Sequence, residues 1–416
     1  MKNLDEIFTS LWESCAFKRE KLRQQTSHKN IFDSLGFVLA ADIRASRPLP
    51  PFDSSAMDGY ATLLDNAGKE TRLLGCTLAG EKPQESLLRK GFVQKVMTGS
   101  PLPKNTQAVV PIELVQILEN GAIKLPQDLK HNQNIRLQGE EIAKDSLLLD
   151  AFKRLKPLDL GMIASQGLNT LCVCKKPKIA LFSTGDEVIE PGLNALPHQI
   201  YNTNAISIMS ILKRFHHDVQ YHGILSDKSS TLLDQLQKFS TTNYDVIITT
   251  GGASVGDADM IKSTLHQLGA RIVFDGVNLK PGRHLSVVIL NEQIFILLPG
   301  NPLASLLHIY TIILSFLEFL SGARSYFLKT YEALADSECI LKPKTQSILL
   351  GNLIDGKFLV FRNGKFGSSA LRYVWENNAI VIVDNDYGAI KTGSKLKCLC
   401  FDQTEFEENC NFINTQ

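Results

Sequence analysis

The sequence predicts a multidomain chain in which a central α/β domain is accompanied by regions built mostly from β-strands. Between residues 178 and 322, apolar runs typical of buried strands alternate with helical segments. On either side, at residues 70–146 and 330–416, short apolar runs are separated by Gly, Pro and Asn turns. At 416 residues the chain is also too long for one ordinary core, so two to four domains are expected.

The composition is that of a soluble globular protein, with 44% hydrophobic and 21% charged residues. A net charge of +1 gives no electrostatic case for binding nucleic acid or an acidic membrane. The N-terminus carries acids and lacks the apolar core of a signal peptide. The most apolar stretch, residues 305–320, contains His308 and Glu318 and predicts a buried helix. We therefore expect a cytoplasmic protein.

A helical and extended bridging domain is predicted from residues 1–46 together with residues 147–177. Apolar residues recur at helical spacing near the N-terminus: Leu4, Ile7, Phe8, Leu11, Trp12 and Cys15. Residues 30–39 offer a second amphipathic segment. Residues 155–164 predict a helix with Pro157 near its start, ended at Gly167.

A small β-rich domain is predicted at residues 47–146, and two of its loops are rich in polar groups. Three closely spaced prolines, Pro48, Pro50 and Pro51, stiffen the approach to a segment that carries Asp53, Ser54, Ser55 and Asp58. That approach would present these side chains at fixed angles, although a domain linker with turn residues has the same composition. In the second loop, residues 96–103, Thr98 could bond a polar ligand or cap the loop.

The α/β domain is predicted at residues 178–328. Its strands are expected at residues 179–182, 219–224, 246–249, 271–274, 286–290 and 294–298, and its helices at residues 204–215, 229–239, 259–268 and 302–320. In such sheets, ligands bind at the loops that follow the carboxyl ends of the strands. Loops with carboxylates, glycines and a basic pair occur at residues 183–187, 225–227, 251–259, 279–283 and 298–302. This set of residue types predicts a phosphate-bearing ligand with magnesium.

The stretch from Tyr244 to Lys262 is the most informative of these. An apolar strand is followed by Gly251, Gly252, Ser254 and Gly256, and then by the carboxylates Asp257 and Asp259. Glycines after a strand let the backbone approach a ligand, a following helix start points N–H groups at anions, and carboxylates suit magnesium. An ordinary strand-to-helix turn with solvated acids is the alternative.

Residues 329–416 predict a C-terminal β-barrel-like domain, with strands at 348–350, 358–361, 379–383 and 396–401, and a loose tail after Glu405. The chain has eight cysteines, including the pairs Cys172/Cys174 and Cys398/Cys400 in apolar runs. Their spacing fits core thiols better than zinc ligands. A histidine cluster, His216, His217 and His222, is interpreted as the end of a surface helix.

Several motifs occur together and in order: PPFDSSAMDGYA, VMTGSPLP, FSTGDEV, ILSD, TTGGASVGDAD, LKPGR and LPGNPLAS. This combination resembles the molybdopterin molybdenumtransferase family, which includes the bacterial MoeA type and the E-domain of gephyrin. The resemblance is strong from about Asn30 to Ser321 and continues weakly to Asp402. It implies an elongated four-part subunit with a central three-layer, molybdopterin-binding-like α/β domain, and a homodimer with its active site in the subunit cleft.

The resemblance also implies a reaction. Adenylated molybdopterin and molybdate are the substrates, Mg²⁺ is the divalent cation, and molybdenum cofactor and AMP are the products. The molybdopterin adenylyltransferase, which binds the same pterin, is an expected partner. Binding of nucleic acid or membranes is not expected.

The site residues that follow from this resemblance fall into three groups. The catalytic residues are Glu187, Asp58, Asp227 and Thr98, with Asp58 and Thr98 reaching the cleft from the partner subunit's small domain. The metal ligands are Asp257, Asp259 and Glu187. The substrate and phosphate ligands are Gly251, Gly252, Ser254, Gly256, Lys280, Arg283, Pro299, Asn301, Pro302 and Ser368.

Some positions depart from the family pattern: Gly276, His284, Leu350, Arg372 and Tyr373. Arg283, Lys344 or Arg372 could supply replacement charge for an oxyanion. The departures leave open a paralogue that inserts tungstate and a non-catalytic pterin-binding or scaffold protein. A magnesium-dependent nucleotide hydrolase is a third alternative, in which the segment around Asp58 would have no obvious use.

Overall fold

The structure is a computed structural model that describes residues 1–82, 87–225, 229–251, 257–341, 344–367, 371–384 and 386–415, without the side chains of residues 229, 230 and 257–259. The chain forms two compact units. The larger contains residues 1–41, 151–157 and 170–416, and the smaller contains residues 42–150 and 158–169. The finer division into four parts that the sequence predicts stays a prediction.

Helices and strands cover both units. The helices are α1 Leu4–Gln24, α2 Pro157–Ser165, α3 Thr203–Arg214, α4 Ser229–Phe239, α5 Asp257–Gln267, α6 Pro302–His308, α7 Leu314–Leu320 and α8 Leu371–Trp375. Before residue 178 the strands are β1 Thr26–Asn30, β2 Ile43–Arg44, β3 Ser54–Ser55, β4 Gly59–Thr62, β5 Glu70–Thr77, β6 Phe92–Val96, β7 Ala108–Pro111, β8 Gln116–Ile117, β9 Ile123–Lys124, β10 Ile135–Arg136, β11 Leu147–Leu149 and β12 Thr170–Cys174.

The remaining strands follow in two groups. Up to residue 300 they are β13 Lys178–Thr184, β14 Val188–Ile189, β15 Ile200–Tyr201, β16 Asp218–Leu225, β17 Val246–Gly251, β18 Arg271–Asp275, β19 Leu279–Lys280, β20 Ser286–Leu290 and β21 Gln293–Leu298. Beyond it they are β22 Phe327–Leu328, β23 Tyr331–Ala335, β24 Cys339–Ile340, β25 Gln346–Ile354, β26 Lys357–Val360, β27 Ala379–Val383, β28 Ala389–Ile390, β29 Lys395–Cys400, β30 Phe406–Glu407 and β31 Ile413–Asn414.

The smaller unit contains a six-stranded sheet with the order β7-β4-β6-β5-β9-β8. Two of its polar loops contact each other through main-chain hydrogen bonds. The Ser55 N–H donates to the Ser100 carbonyl at 3.1 Å, and the Gly99 N–H donates to the Ser55 carbonyl at 2.8 Å. These bonds bring together the proline-rich segment and the Thr98 loop, which are separate motifs in the sequence.

The larger unit contains a six-stranded sheet with the order β16-β13-β17-β21-β20-β18. The first four strands run parallel, whereas β20 is antiparallel to both of its neighbours. The strands and helices predicted for this region are present, and each boundary lies within two residues of the predicted one. The agreement follows from burial, because strands covered on both faces have continuous apolar sequences.

Helices cover both faces of this sheet, so the region has the predicted three layers. Along β13, Ile179 and Leu181 belong to the core that contains the buried residues of α3 and α6. The alternate residues, Ala180 and Phe182, belong to the core that contains the buried residues of α4 and α5. Because successive side chains of a strand point to opposite faces of the sheet, alternate residues of β13 belong to two separate cores.

The predicted helix at residues 302–320 is present as α6, a π-helical turn at Ile309–Ile313, and α7. Its length and apolar composition would suffice to span a membrane, yet it is buried inside the protein. Its one carboxylate, Glu318, is fully buried and accepts two hydrogen bonds from the Arg154 guanidinium. Burial raises the pKa of Glu318, and the charge of Arg154 opposes that rise. The helix is therefore a core element, as predicted.

The C-terminal strands close into a barrel. In spatial order around the barrel, β25 pairs with β26, β26 with β23, β23 with β29, β29 with β27, and β27 with β25. A closed ring of strands leaves none of these five as an open edge. The barrel-like domain predicted from the alternating apolar runs is thus confirmed.

Two local predictions are wrong. Residues 30–39 do not form an amphipathic helix, because Asn30 ends β1 and only a 3₁₀ turn at Ile31–Asp33 follows before Gly36 takes a positive φ of 70°. The tail after Glu405 is not loose. It adds β30 and β31, and Phe412 is fully buried with its ring centroid 5.9 Å from that of Phe8. Pairing of β30 with β22 and of β31 with β27, together with this large apolar side chain, holds the polar tail in place.

The eight cysteines are all free thiols. Cys174 and Cys398 are buried, and Cys172 and Cys400 are partly buried. Burial raises the pKa of Cys15 and of Cys398 to about 12, which disfavours the reactive thiolate. These positions fit the predicted role of core residues.

Candidate active site

A pocket of about 270 Å³ lies at the carboxyl edge of the parallel sheet in the larger unit. It is bounded by the ends of β13 and β17 and by the segment that follows β21. Four of the predicted site residues line it: Glu187, Gly251, Asn301 and Pro302. The carboxyl edge is where open parallel sheets bind ligands, because loops and helix starts converge there.

Close packing of β13 against β17 forms the floor of this pocket. Gly251 ends β17 with a φ of +122°, and a Cβ built at this position would overlap the main-chain oxygen of Thr184. Only glycine allows both the positive φ and the short separation between the two strands. Backbone geometry therefore explains the glycine at this position of the predicted loop.

Two buried oxygen atoms at the pocket have no hydrogen-bond partner in the described structure: Thr184 Oγ1 and Asn204 Oδ1. The amide nitrogen of Asn204 is engaged, since Nδ2 donates to Thr250 Oγ1 at 2.9 Å and to the Gly300 carbonyl at 2.8 Å. These bonds fix the amide and leave its oxygen uncommitted. A buried polar atom without a partner costs free energy unless a ligand or water satisfies it.

Two helices begin at the pocket. Asn202 caps α3 by accepting a hydrogen bond from the Ala205 N–H at 3.2 Å, and Asn301 caps α6 by accepting one from the Ala304 N–H at 3.3 Å. Each cap satisfies one N–H of the first turn. The N–H groups of Thr203 and Asn204 remain at the start of α3, whereas α6 begins with Pro302, which has no N–H, and leaves that of Leu303. Helix N-termini carry partial positive charge, so the pocket favours an anion without a basic side chain.

A polar network supports the cap of α3. Ser183 Oγ donates to Asn202 Oδ1 at 2.8 Å, and Asn202 Nδ2 donates to the Tyr221 hydroxyl at 2.7 Å. Tyr221 in turn donates to the Glu190 carboxylate. Burial, followed by the hydrogen bond to Glu190, raises the pKa of Tyr221, so its hydroxyl stays protonated. The network fixes Asn202 and thereby the start of α3.

In the smaller unit, the structure brings together the two predicted residues Asp58 and Thr98. Asp58 Oδ1 accepts hydrogen bonds from the Thr98 N–H at 2.7 Å and from its hydroxyl at 2.8 Å. These two bonds, with the main-chain one first, lower the pKa of Asp58. Asp58 is therefore an ionised carboxylate with a fixed orientation.

Three other predicted ligands do not line the pocket. The Pro299 carbonyl accepts a hydrogen bond from Thr250 Oγ1 at 3.4 Å and one from Ser305, so it supports the pocket from behind. Lys280 and Arg283 are exposed in the connection from β18 to β20. That connection lies beyond β21 in the sheet order, and Lys280 pairs through β19 with β25 of the barrel.

Several predicted residues lie outside the part of the chain that the structure describes: Asp227, Gly252, Ser254, Gly256, Ser368, and the side chains of Asp257 and Asp259. The backbone of Asp257 begins α5. Among the described side chains, no group of three His, Cys, Asp or Glu residues has the spacing of a metal site. Glu187 is the described carboxylate at the pocket.

Sequence reasoning did not select Thr184 or Asn204 as ligands. Thr184 lies within a motif that was singled out for its carboxylates, and Asn204 belongs to the helix start that follows β15. A signal was present in the run Tyr201-Asn202-Thr203-Asn204, which places polar side chains at a helix start on the ligand-binding edge. Asn204 donates a hydrogen bond to the Gly300 carbonyl, which is distant in the sequence, so no local sequence pattern indicates this contact.

Three of the positions that depart from the family pattern make contacts within the protein. Leu350 is fully buried in the larger unit, so this position presents no polar group to a ligand. Arg372 is paired with Glu376 at 2.5 Å, and the Tyr373 hydroxyl accepts a hydrogen bond from Arg362 at 3.2 Å. Arg372 is thus engaged, and its use as a replacement charge would require that pair to open.

The chain matches two protein-family models. Residues 4–167 match the model described as "MoeA N-terminal region (domain I and II)", and residues 180–318 match the one described as "Probable molybdopterin binding domain". The two matches together cover the smaller unit, α1 and the α/β sheet with its helices.

Curated and solved proteins give the same result. The chain is 32% identical over 328 residues to the molybdopterin molybdenumtransferase of Haemophilus influenzae, with 78% of this chain and 79% of that protein covered. It is 26% identical over 391 residues to the protein of the same name from a Nostoc species, with 91% and 89% covered. The solved MoeA protein of Pyrococcus horikoshii OT3 superposes with a TM-score of 0.79 at 23% identity, with 96% of this chain and 100% of that chain covered.

The structural match establishes the fold, and the sequence match extends over most of both chains. At 32% identity over more than three quarters of its length, the similarity to the Haemophilus protein shows the family. The chain belongs to the molybdopterin molybdenumtransferase family and is an enzyme of that family.

Proposed function

We propose that this enzyme inserts molybdate into adenylated molybdopterin in the synthesis of molybdenum cofactor, with magnesium-dependent cleavage of the adenylate and release of AMP. One observation carries the proposal: the pocket at the carboxyl edge combines Glu187, two uncommitted buried oxygen atoms and two helix starts. Such a site suits a phosphate-bearing substrate that must be held while a phosphorus–oxygen bond breaks.

The main chain supplies the binding groups for the adenylate. The starts of α3 and α6 offer N–H groups to phosphate oxygens, and α5 begins after the glycine loop at Asp257. Gly251 allows the end of β17 to approach β13 closely, since the Cβ of any other residue there would overlap the main-chain oxygen of Thr184. Positioning of this kind is the principal contribution of a protein to reactions at phosphorus.

The residues present fit a magnesium ion. Glu187 supplies a carboxylate, while Thr184 Oγ1 and Asn204 Oδ1 are neutral oxygen atoms without partners. Magnesium prefers oxygen ligands, and we propose that Glu187, Asp257 and Asp259 hold it. Magnesium, when bound, would neutralise charge on the phosphate oxygens.

The remaining proposed roles concern the side chains that face the substrate. Glu187 and Asp227 act in the cleft, and the ionised Asp58, fixed by Thr98, contributes a carboxylate from the partner subunit. Lys280 and Arg283 neutralise molybdate oxygens. Gly252, Ser254, Gly256 and Ser368 complete the set of ligands.

We further propose a cytoplasmic homodimer that receives its substrate from the molybdopterin adenylyltransferase. The burial of the apolar helix at residues 302–320 supports a protein that does not insert into membranes. The net charge of +1 supports the absence of nucleic acid among its ligands.

The test is AMP release from adenylated molybdopterin with magnesium, with and without molybdate, for the wild type, Glu187→Gln and Asp186→Asn. We expect molybdate to stimulate release, and Glu187→Gln to slow it by about a hundredfold or more. Asp186→Asn is the matched control, because it removes the same charge from the adjacent exposed residue, which does not line the pocket.

Each alternative has its own outcome in this assay. Tight binding of the adenylate without release would indicate a non-catalytic pterin-binding protein. Stimulation by tungstate and not by molybdate would indicate the tungstate paralogue, and hydrolysis of ATP without pterin would indicate a nucleotide hydrolase. Equal turnover by the wild type and Glu187→Gln would contradict the role assigned to Glu187.

A further inference from the structure

A second pocket, of about 400 Å³, lies in the larger unit at the opposite edge of the same sheet. Lys178 at the start of β13 and Asp218 at the start of β16 both line it, so it occupies the amino ends of the strands. The reaction proposed for this enzyme uses the carboxyl edge, and none of its residues reaches this pocket. We call it the basic pocket.

The charges that line the basic pocket are mostly positive. Four lysines contribute to it, namely Lys29, Lys175, Lys176 and Lys178, against a single carboxylate, Asp218. The Nζ atoms of Lys176 and Lys29 lie 3.9 Å and 5.5 Å from the centre of the Phe37 ring. Both cations are therefore near the same ring, and their mutual repulsion costs Coulomb energy that a bound anion would offset.

A buried histidine, His217, forms part of the lining of the basic pocket. His217 is only 6% exposed, and its Nε2 atom is buried without a hydrogen-bond partner in the described structure. A buried imidazole nitrogen without a partner pays a desolvation cost. His217 is also one of the residues that line the basic pocket.

Backbone geometry at the neighbouring His216 also favours a ligand-binding role. Helix α3 ends in a Schellman motif, in which the His216 N–H donates to the Lys213 carbonyl at 2.9 Å and the His217 N–H donates to the Leu212 carbonyl at 3.0 Å. His216 occupies the position of positive φ, at 61°, where glycine is favoured. Non-glycine residues with strained backbone conformations occur preferentially at functional sites.

We propose that the basic pocket binds a small phosphate-bearing anion through Lys29, Lys176 and His217. The lysines supply charge, and the His217 imidazole donates to a phosphate oxygen from the buried end. Partly buried cations grouped around one pocket suit a compact anion. A membrane surface or an acidic peptide would require a flat or grooved basic face.

The electrostatics of the basic pocket agree with this assignment. Burial, followed by the charge of Arg154, lowers the pKa of Lys176 to about 8 and the pKa of His217 well below its ordinary value. Burial and then Lys176 lower the pKa of His216. Arg154 itself is engaged with Glu318 and with the Gly36 carbonyl. A bound anion would relieve the repulsion that all of these groups experience.

The experiment follows the imidazole signals of His216 and His217 by NMR in the full-length, ¹⁵N-histidine-labelled enzyme. Inorganic phosphate and AMP are titrated separately at constant ionic strength, with sodium chloride as the control salt. The signals are assigned with His216→Asn and His217→Asn. We expect the chemical shifts of both histidines to change and to saturate with inorganic phosphate, with AMP, or with both. The probe with the lower dissociation constant shows whether the pocket prefers free phosphate or a nucleoside phosphate.

Matched variants localise the site. Lys29→Met/Lys176→Met should weaken this binding about tenfold or more, because it removes two charge-assisted hydrogen bonds. Lys213→Met removes an exposed charge from α3 outside the pocket and should leave the binding constant unchanged. Asn204→Asp places a negative charge in the carboxyl-edge pocket and should not affect these signals. Thermal unfolding verifies that each variant is folded.

Three results would overturn the proposal. The histidine signals could stay unchanged with both probes, or they could respond equally to chloride. Lys213→Met could weaken binding as much as the double variant, which would show a general effect of charge. Since the readout is local to the basic pocket, none of these results depends on the function proposed for the carboxyl edge.

Discussion

The two edges of the central sheet hold pockets of different chemistry. Strand β13 connects them, because Lys178 at its start lines the basic pocket and Thr184 at its end lines the candidate active site. At about 3.3 Å per residue, the two positions are roughly 20 Å apart. Both pockets belong to the same compact unit and share the same strands.

The difference between them lies in how each would hold an anion. Among the described residues that line the carboxyl-edge pocket, Glu187 is the only charged side chain, so the attraction for the proposed phosphate would come from helix starts. The amino-edge pocket depends on lysine side chains. Helix α3 spans the two, with Thr203 at one pocket and the residues after Arg214 at the other.

Helix polarity explains this difference. The N-terminus of a helix presents N–H groups and partial positive charge, whereas its C-terminus presents carbonyl groups and partial negative charge. The backbone therefore favours an anion at the carboxyl edge of the sheet. At the amino edge, the partial negative charge of the helix C-terminus repels an anion. Cationic side chains must therefore supply an attraction larger than this repulsion. The same fold thus imposes different side-chain requirements on its two edges.

The largest expected effect concerns the backbone-built pocket. Gly251→Ala should destabilise the enzyme by roughly 3 kcal/mol and reduce AMP release by about a hundredfold, because its Cβ would overlap Thr184 at a positive φ. Gly269→Ala is the matched control. It has a φ of +90° but open space around the Cβ, and it should cost about 1 kcal/mol with normal turnover. Equal losses in both variants would show that strain alone, and not overlap, sets the requirement at Gly251.

A second test asks whether the carboxyl-edge pocket is complete within one chain. Asp58→Asn and Glu187→Gln chains, carrying different affinity tags, are co-expressed and the mixed dimer is purified. If Asp58 acts from the partner subunit, the mixed dimer has one intact site and should recover about half of the wild-type AMP release per dimer. A mixed dimer as inactive as the two parent variants would place Asp58 and Glu187 in a site of the same chain.

A third test measures the cost of the lysines at the amino edge. The pKa of Lys176 is lowered from 10.5 to about 8, so the native state loses this proton before the unfolded chain does. The unfolded state then binds more protons between these pH values, and the wild-type free energy of unfolding should rise with pH across that range. Lys176→Met should lack this rise and should be about 1 kcal/mol more stable at pH 7, after allowance for partial exposure.

Urea unfolding at pH 7 and pH 10 gives the comparison. The difference between the wild type and Lys176→Met isolates Lys176 from other groups that titrate in this range. A parallel pH dependence in both proteins would show that Lys176 carries no electrostatic cost, and the contrast between the two edges would lose its main support.

The smallest expected effect is at the end of α3. His216→Gly should stabilise the enzyme by roughly 0.5–1 kcal/mol, since glycine adopts the positive φ of this position without strain. The matched control is Lys213→Gly, which replaces an exposed residue inside the helix and should destabilise by about the same amount. Destabilisation by His216→Gly would indicate that packing of the ring against Gly36 outweighs the strain.

Much of the α/β region could be predicted because its signals are local. Residues 246–248 are apolar without interruption, since both faces of β17 are covered by helices, and glycine follows where the strand must approach its neighbour. Prediction failed where a short polar segment is held by contacts with distant parts of the chain. The tail after Glu405 has the composition of a loose terminus, and Phe412 reaches a core built from Phe8 and Phe327.

By itself, the sequence determined the order of strands and helices in the α/β region, the buried state of the helix at residues 302–320 and the family to which the chain belongs. These properties depend on residue type at short spacing, and folding preserves that spacing. Only the tertiary structure decided which groups meet. Asn204 contacts Gly300, which is 96 residues away, and Lys29, Lys176 and His217 meet in a pocket from three distant segments. Contacts between residues that are distant in the sequence depend on strand order and packing, which no local sequence pattern encodes.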